Sequence, residues 1–260
     1  MSIIIAIALI LSGVLVGFIN TLAGGGTIIS LSLMMALGLP PTMANGTNRI
    51  SVIFQTLTAT RNFRKHKVLD VRKGLLLGIP TTIGSILGAW AAIDINEQIF
   101  KYAMVIIMFV MVFFLFYKPE RWLKGKEDFV AKKTDLVQVL IFLLIGFYGG
   151  FIHVGVGYFL LGALVLGAGY DLVRANALKV FIVFLYVPFS LLIFIINDQV
   201  YFLYGLIHAI GNIVGAYIAS KYAIEKGANF VRWVIVIVVI GTTLDVFGLI
   251  KLGFLLDYLK

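Results

Sequence analysis

Hydrophobic residues fall into eight long blocks along the chain, at 2–22, 43–60, 74–93, 99–117, 136–152, 175–196, 200–219 and 230–250. At about 1.5 Å rise per residue, roughly 20 apolar residues make a helix that crosses the hydrocarbon layer. Each block therefore predicts a membrane-spanning helix. Two further apolar blocks, 28–39 and 158–168, are too short to cross alone. Each follows a glycine-rich break, LAGGGTIISLSL from Leu22 and HVGVGYFLLGAL from His153, and reads as a half-helix. The opening MSIIIAIALILSG resembles a secretion signal but has neither a basic start nor a small-residue cleavage site. A retained helix is expected.

The two breaks belong to a duplication. A gapless shift of 131 positions sets Gly24 on Gly155, Gly26 on Gly157, Gly38 on Gly169 and Ala44-Asn45 on Ala175-Asn176. The register continues through Gly74/Gly205, Gly84/Gly215 and Ile106/Ile237. Two similar halves, each with a broken helix near its start, are a sequence mark of secondary transporters. The expected fold class is all-α: a polytopic membrane protein of two repeats, each with about four full helices plus a broken, re-entrant helix. Residues 1–117 make the first membrane repeat, 118–135 a cytoplasmic loop and 136–260 the second membrane repeat.

Composition supports a membrane protein, with 61% hydrophobic residues, 13% charged residues and a mean hydropathy of +1.07. The net charge of +9 is no nucleic-acid footprint, because the cations gather in three loops at 61–73, 118–133 and 220–232. The positive-inside rule places these loops in the cytoplasm. Loops 94–98 and 197–199 carry only acids and are placed outside. The inside loop at 61–73 then corresponds, by the shift of 131, to the outside region near Asn197. The halves are expected to be inverted, with each broken segment entering and returning as a hairpin. Cysteine is absent, which excludes disulfide and thiol chemistry. No cofactor, metal site or nucleic-acid partner is expected; the lipid bilayer is.

Gly24, Gly25 and Gly26 offer only backbone, which can take positive φ and allow close approach. A half-helix starting at Thr27 would turn unpaired N–H groups and the positive end of its dipole toward an anion. Tight helix packing is the plainer account of such glycines. Asn20 and Thr21, just ahead of the break, could bind the anion or cap the half-helix. The next helix carries Asn48, Ser51, Gln55, Thr58 and Asn62 on one face. Its second-half counterpart carries Asn176, Lys179, Tyr186 and Ser190, and the register matches Asn48 with Lys179 and Gln55 with Tyr186.

Arg49 and Lys179 are cations in apolar surroundings, where charge is costly and usually functional. Snorkelling to the interface is the alternative for Lys179. His153, beside the second break, is expected to touch substrate. His208, with Asn212 one turn on, is a proton-coupling candidate or a structural hydrogen-bond partner. Asp245, an acid within an apolar stretch, is a second coupling candidate or a counter-charge.

The segments GFINTLAGGGTIISLSLMMALGLPPTMANGTNRISVIFQTLTATRNFRKH (17–66) and GGFIHVGVGYFLLGALVLGAGYDLVRANALKVFIVFLYVP (149–188) resemble the two signature copies of the sulfite exporter TauE/SafE family, also called the 4-toluene sulfonate uptake permease family. The resemblance covers essentially the whole chain. It implies a bacterial inner-membrane transporter of sulfur-containing anions such as sulfite, thiosulfate or organosulfonates, usually an exporter and coupled to a proton gradient. By position, the family's glycine motifs fall on Gly24 to Gly26 and Gly155 to Gly157, and its Ala-x-Gly-Thr motif on Ala44, Asn45, Gly46 and Thr47. The second half departs at Val156, Ala177 and Leu178, so the halves are unequal around the expected site.

There is no Gly-x-Ser-x-Gly, His-Glu-x-x-His or GxxxxGK[ST] sequence, so neither an intramembrane enzyme nor nucleotide-driven transport is expected. A passive anion channel is the alternative, as is a permease for another small organic anion. A structural scaffold is the blandest reading. The expected mechanism is alternating access, with an anion held between the breaks by Asn45, Asn48, Asn176, Lys179 and half-helix N-termini, and with proton or sodium coupling. Oligomeric state is left open.

Overall fold

The computed structural model describes residues 2–93 and 135–246, with side chains as far as Val238. The expected span at 99–117, loop 94–98, nearly all of loop 118–135, the end of the span at 230–250 and the side chain of Asp245 lie outside the described residues. All regular structure among the described residues is helical.

Helix α1 (Ile3–Leu22) starts at Ser2, whose hydroxyl accepts the Ile5 N–H. After the break, α2 (Thr27–Ala36) ends at Gly38, and α3 (Pro41–Lys65) opens with proline in its first turn. Arg64 and Lys65 sit in the last turn of α3, where cations suit the helix dipole. Helix α4 covers Val71–Ile93. In the second half, Asp135 caps α5 (Leu136–Phe151) and accepts the Gln138 N–H at 2.8 Å. The short α6 (Val156–Gly162) runs into a π-helical turn, Ala163–Gly167. Asp171 then caps α7 (Leu172–Ile196), and α8 spans Phe202–Val246.

The 131-residue shift carries both ends of α3 onto those of α7, and the start of α4 onto that of α8. It also pairs backbone conformations: Gly24 with Gly155, Gly38 with Gly169 and Lys67 with Asp198 all have positive φ. The expected loop at 220–232 differs, being helical apart from a break at Gly227 (φ 72°, ψ −167°). An i,i+4 pair, Lys221 with Glu225 at 3.8 Å, supports helix there.

Glycines set the helix directions. Gly13 and Gly17 of α1 meet the backbone of His208 and Asn212, and Gly211 and Gly215 of α8 meet Ile10 and Val14, so α1 and α8 lie parallel. Gly84 and Gly88 of α4 meet Leu143 and Phe147 of α5 in the same sense. A methyl at Gly88 would lie 1.9 Å from the Phe147 carbonyl oxygen, so these contacts need glycine. Thr47, Ser51 and Asn62 of α3 bond Tyr201, His208 and Ser220 in ascending order, making α3 parallel to α8. Gly74 and Gly78 of α4 meet Phe181 and Leu185 of α7, again in parallel. Gly46 meets Phe194 whereas Arg49 bonds Ser190, so α3 and α7 are antiparallel. Hence α1, α3 and α8 run one way through the bundle, and their partners α5, α7 and α4 run the other.

Four described helices (α1, α4, α7 and the apolar part of α8) are long and apolar enough to cross a membrane. Their outward faces carry an apolar belt that includes Ile3, Leu11, Ile79, Leu87, Leu140, Leu144, Leu192 and Ile210. Such a surface suits lipid, and water would not tolerate it. Helix α3 is as long as α7 but too polar to qualify, because its amides, hydroxyls and Arg49 face the interior. The hydrogen bonds of Asn62 with Ser220 and of Tyr170 with Asp70 tie the halves together near the loops that carry the described cations. Burial and the Asp70 carboxylate push the Tyr170 phenol above its usual value.

Candidate functional site

The first break leaves the last carbonyls of α1 without intrahelical partners. Side chains of α7, from the other repeat, satisfy them. Lys179 Nζ donates to the carbonyls of Asn20 (3.0 Å) and Thr21 (2.8 Å), and Asn176 Nδ2 donates to Leu22 (3.1 Å). The second break is treated in kind by α3. Arg49 donates to the carbonyls of Gly149 (3.2 Å) and Gly150 (2.6 Å), and Asn45 Nδ2 donates to Phe151 (2.9 Å). Arg49 also donates to Ser190 Oγ at 2.7 Å and lies 4.6 Å from the Phe194 ring centroid. Lys179 is 1% exposed and does not snorkel; its ammonium points into the protein. Among the described residues no carboxylate forms an ion pair with either cation.

The start of α2 is closed by its own repeat. Asn20 Oδ1 accepts the Thr27 N–H at 3.2 Å, while Asn20 Nδ2 donates to Thr27 Oγ1 at 3.0 Å. Of the two roles open to Asn20, the structure adopts capping. The Thr27 N–H is thereby removed from the expected anion cradle. The two breaks touch through Gly24 and Gly157: a methyl at Gly24 would lie 2.4 Å from the Gly157 Cα. Gly25 is covered by the Tyr158 ring, and Gly26 by Ile19 and Asn20. Gly155, with φ of 69°, forms the turn into α6.

Beside this contact lies a cavity of about 20 Å³, room for roughly one water molecule. Its lining draws on both repeats: Asn20, Gly24, Thr27, Val52, Gln55 and Thr56 from the first, His153, Val156, Gly157, Lys179, Val180 and Val183 from the second. Gln55 Oε1 is buried with no hydrogen-bond partner, as is the nearby Thr21 hydroxyl. Buried polar atoms are nearly always paired, and of these two Gln55 belongs to the cavity lining. His153 is 4% exposed, and its Nδ1 lies 3.1 Å from the Tyr186 hydroxyl. The Tyr148 hydroxyl donates to the Val154 carbonyl and holds the turn that carries His153.

Seven of the expected binding residues thus line one space: Asn20, Gly24, Thr27, Gln55, His153, Gly157 and Lys179. Tyr186 stands behind His153. Asn45, Arg49 and Asn176 hold helix ends. Gly46 and Thr47 hold the α7–α8 turn: a methyl at Gly46 would strike the Gln199 carbonyl, and Thr47 Oγ1 accepts the Tyr201 N–H at 2.9 Å. The Asn48 amide is buried and unpartnered, outside the cavity lining. The polar stripe on α3 is shared out, with Gln55 facing the cavity while Ser51 and Asn62 bond α8. Val156 was noted from sequence as a departure from the glycine motif, but Val52, Thr56, Val180 and Val183 were not singled out. Their apolar or small side chains give no signal that separates them from ordinary core.

His208 is fully buried away from this cavity and joins three helices. Its Nε2 lies 3.3 Å from Ser30 Oγ on α2, and its Nδ1 lies 3.0 Å from Ser51 Oγ on α3. Asn212 Nδ2, one turn along α8, is 2.9 Å from the same Nδ1. By the shift of 131, the counterparts of Ser30, Ser51 and His208 are Leu161, Ile182 and Leu77, all fully buried. One repeat uses a polar junction where the other uses hydrocarbon.

Residues 9–246 match the family described as "Sulfite exporter TauE/SafE". A protein of Sinorhizobium sp named "Probable membrane transporter protein ORF9" is 28% identical over 231 residues, 88% of this chain and 87% of that one. A "Probable membrane transporter protein" of Haemophilus influenzae is 29% identical over 229 residues, 86% of this chain and 88% of the relative. "Probable membrane transporter protein YunE" of Bacillus subtilis is 26% identical over 259 residues, covering 89% and 95%. No solved structure matches the chain. With its broken helices, lipid-facing belt and a family match over nearly its whole length, the chain belongs to the TauE/SafE sulfite exporter family of membrane transporters.

Proposed function

We propose that this chain exports a small sulfur-containing anion, such as sulfite, thiosulfate or a compact organosulfonate, by alternating access and with proton coupling. The observation that carries the reading is Lys179. Its ammonium is buried at a cavity between the two repeats, and its hydrogen bonds run only to neutral carbonyls. An ammonium has three donors, and two are used. A buried charge without a counter-charge is expensive, and an anion in the cavity supplies the missing partner.

The cavity holds about one water, less than any three-oxygen sulfur anion needs. Binding therefore requires the repeats to part at the Gly24–Gly157 contact, which favours alternating access over an open pore. Opposite helix directions in the two halves support inverted repeats. The basic segments at 61–73 and 220–232 share one end of the bundle, which is read as the cytoplasmic face of a bacterial inner membrane.

The test is binding by the purified chain of sulfite, thiosulfate, sulfoacetate, isethionate and taurine, with Lys179→Met in parallel. Saturable binding of at least one anion, weakened tenfold or more in the variant, is expected. Equal affinity in both proteins would remove Lys179 from the site.

A further inference from the structure

The two breaks are filled differently. By the shift of 131, Tyr158 is the counterpart of Thr27, and Val156 is the counterpart of Gly25. Tyr158 lies against Gly25, where a methyl would stand 2.5 Å from the Tyr158 hydroxyl and 2.7 Å from Cε2. The related pair, Thr27 and Val156, lines the cavity. A large ring thus closes one of two equivalent positions, and a small hydroxyl side chain leaves the other open. The side chains make the two positions unequal, and the cavity lies beside Thr27 and Val156.

Val156 is the wall residue that stands where the other repeat has glycine. It is 2% exposed, and a methyl at Gly149 would lie 2.9 Å from its Cγ2. The isopropyl group is therefore backed by α5. Lys179 and His153 line the same small space as Val156, so a guest held by the two polar side chains shares that space with the isopropyl group. β-Branched side chains have restricted χ1 rotamers, which makes this wall stiff.

We propose that Val156 sets the size of the substituent that the anion carries on its sulfur, admitting compact anions and excluding longer sulfonates. This rests on the cavity being the anion site. The expected class is inorganic sulfur oxyanions and the smallest alkyl sulfonates.

The experiment measures competition among sulfite, methanesulfonate and ethanesulfonate for the full chain in detergent and in liposomes, for the native protein, Val156→Ala and Val156→Ile. Trimming the wall is expected to raise the ethanesulfonate-to-sulfite affinity ratio roughly tenfold, the scale of one or two methylenes in an apolar pocket. Val156→Ile is expected to move the ratio the other way, and a single folded variant is enough to read the trend. An unchanged ratio in a variant that still binds sulfite overturns the role of Val156 alone. A native protein that binds none of the three anions overturns the anion reading, and this proposal with it.

Discussion

Arg49 and Lys179 perform one task for opposite halves of the molecule. Each projects from a long central helix and donates to the terminal carbonyls of the broken helix in the other repeat. The partnering asparagines, Asn45 and Asn176, are equivalent by the 131-residue shift; the cations are one position out of register. That offset separates their surroundings. Arg49 is enclosed by Ser190, Phe194 and α5 carbonyls, whereas Lys179 reaches the cavity. Both cations hold helix ends, and Lys179 alone of the two also lines the cavity.

Replacing the two α7 donors should therefore give different results. Asn176→Ala removes one bond to the Leu22 carbonyl and is expected to lower stability by about 1–3 kcal/mol, with anion affinity kept within a few-fold. Lys179→Met removes the charge at the cavity and is expected to reduce affinity far more than stability. Thermal unfolding and ligand binding measured on the same preparations separate the two. Matching losses of affinity would show that both residues act only through α1.

Two glycines with the same backbone sign should differ in their tolerance. Gly24 and Gly38 have φ of 97° and 94°, but a side chain at Gly38 meets nothing within 4 Å. Gly38→Ala should cost about 1–2 kcal/mol, the backbone penalty alone. Gly24→Ala adds a collision with Gly157 and should prevent closure of the repeats, which appears as loss of folded protein or of transport. Equal stability and transport in the two variants would show that the Gly24–Gly157 contact is not needed.

His208→Leu tests whether the polar junction is structural. Its counterpart site is filled by Leu77, so hydrocarbon can occupy such a position. The substitution removes the Ser30 partner while Ser51 keeps its bond to the Asn48 carbonyl, and a loss of about 1–3 kcal/mol in stability is expected, with anion affinity unchanged. Flux into liposomes under an imposed pH gradient is the second measurement. Flux that keeps its dependence on the gradient assigns His208 to structure, whereas loss of that dependence with intact binding assigns it to coupling.

Helix direction predicts which ends share a side of the membrane. The chain has no cysteine, so single cysteines at His66 and at Asn197 can be labelled without background. In whole cells an impermeant maleimide should reach the residue at 197 and miss the one at 66. Labelling of both from one side would contradict inverted halves.

Much of this arrangement was legible in the chain. The duplication placed both breaks, and the 131-residue register anticipated the shared boundaries of α3 and α7, because equal local sequence meets equal turn geometry. Glycines at 24, 38, 155 and 169 marked turns that need positive φ. The helical spacing of Asn48, Ser51 and Gln55 identified an inward polar face. The pattern did not reveal where each polar group would be spent. Asn20 closes α2, Lys179 is buried and does not reach the interface, and the stripe on α3 is divided between α8 and the cavity.

The sequence by itself determined a membrane-embedded, all-helical protein built twice over, because apolar length, glycine breaks and repeat register are properties of the chain read in one dimension. Only the tertiary structure decided that the repeats cap each other's broken helices, and that one of two equivalent positions is closed by Tyr158 while the other opens beside Val156 and Lys179. Those outcomes depend on which side chains meet across more than a hundred residues of separation. Contact and space at that range are set by packing in three dimensions.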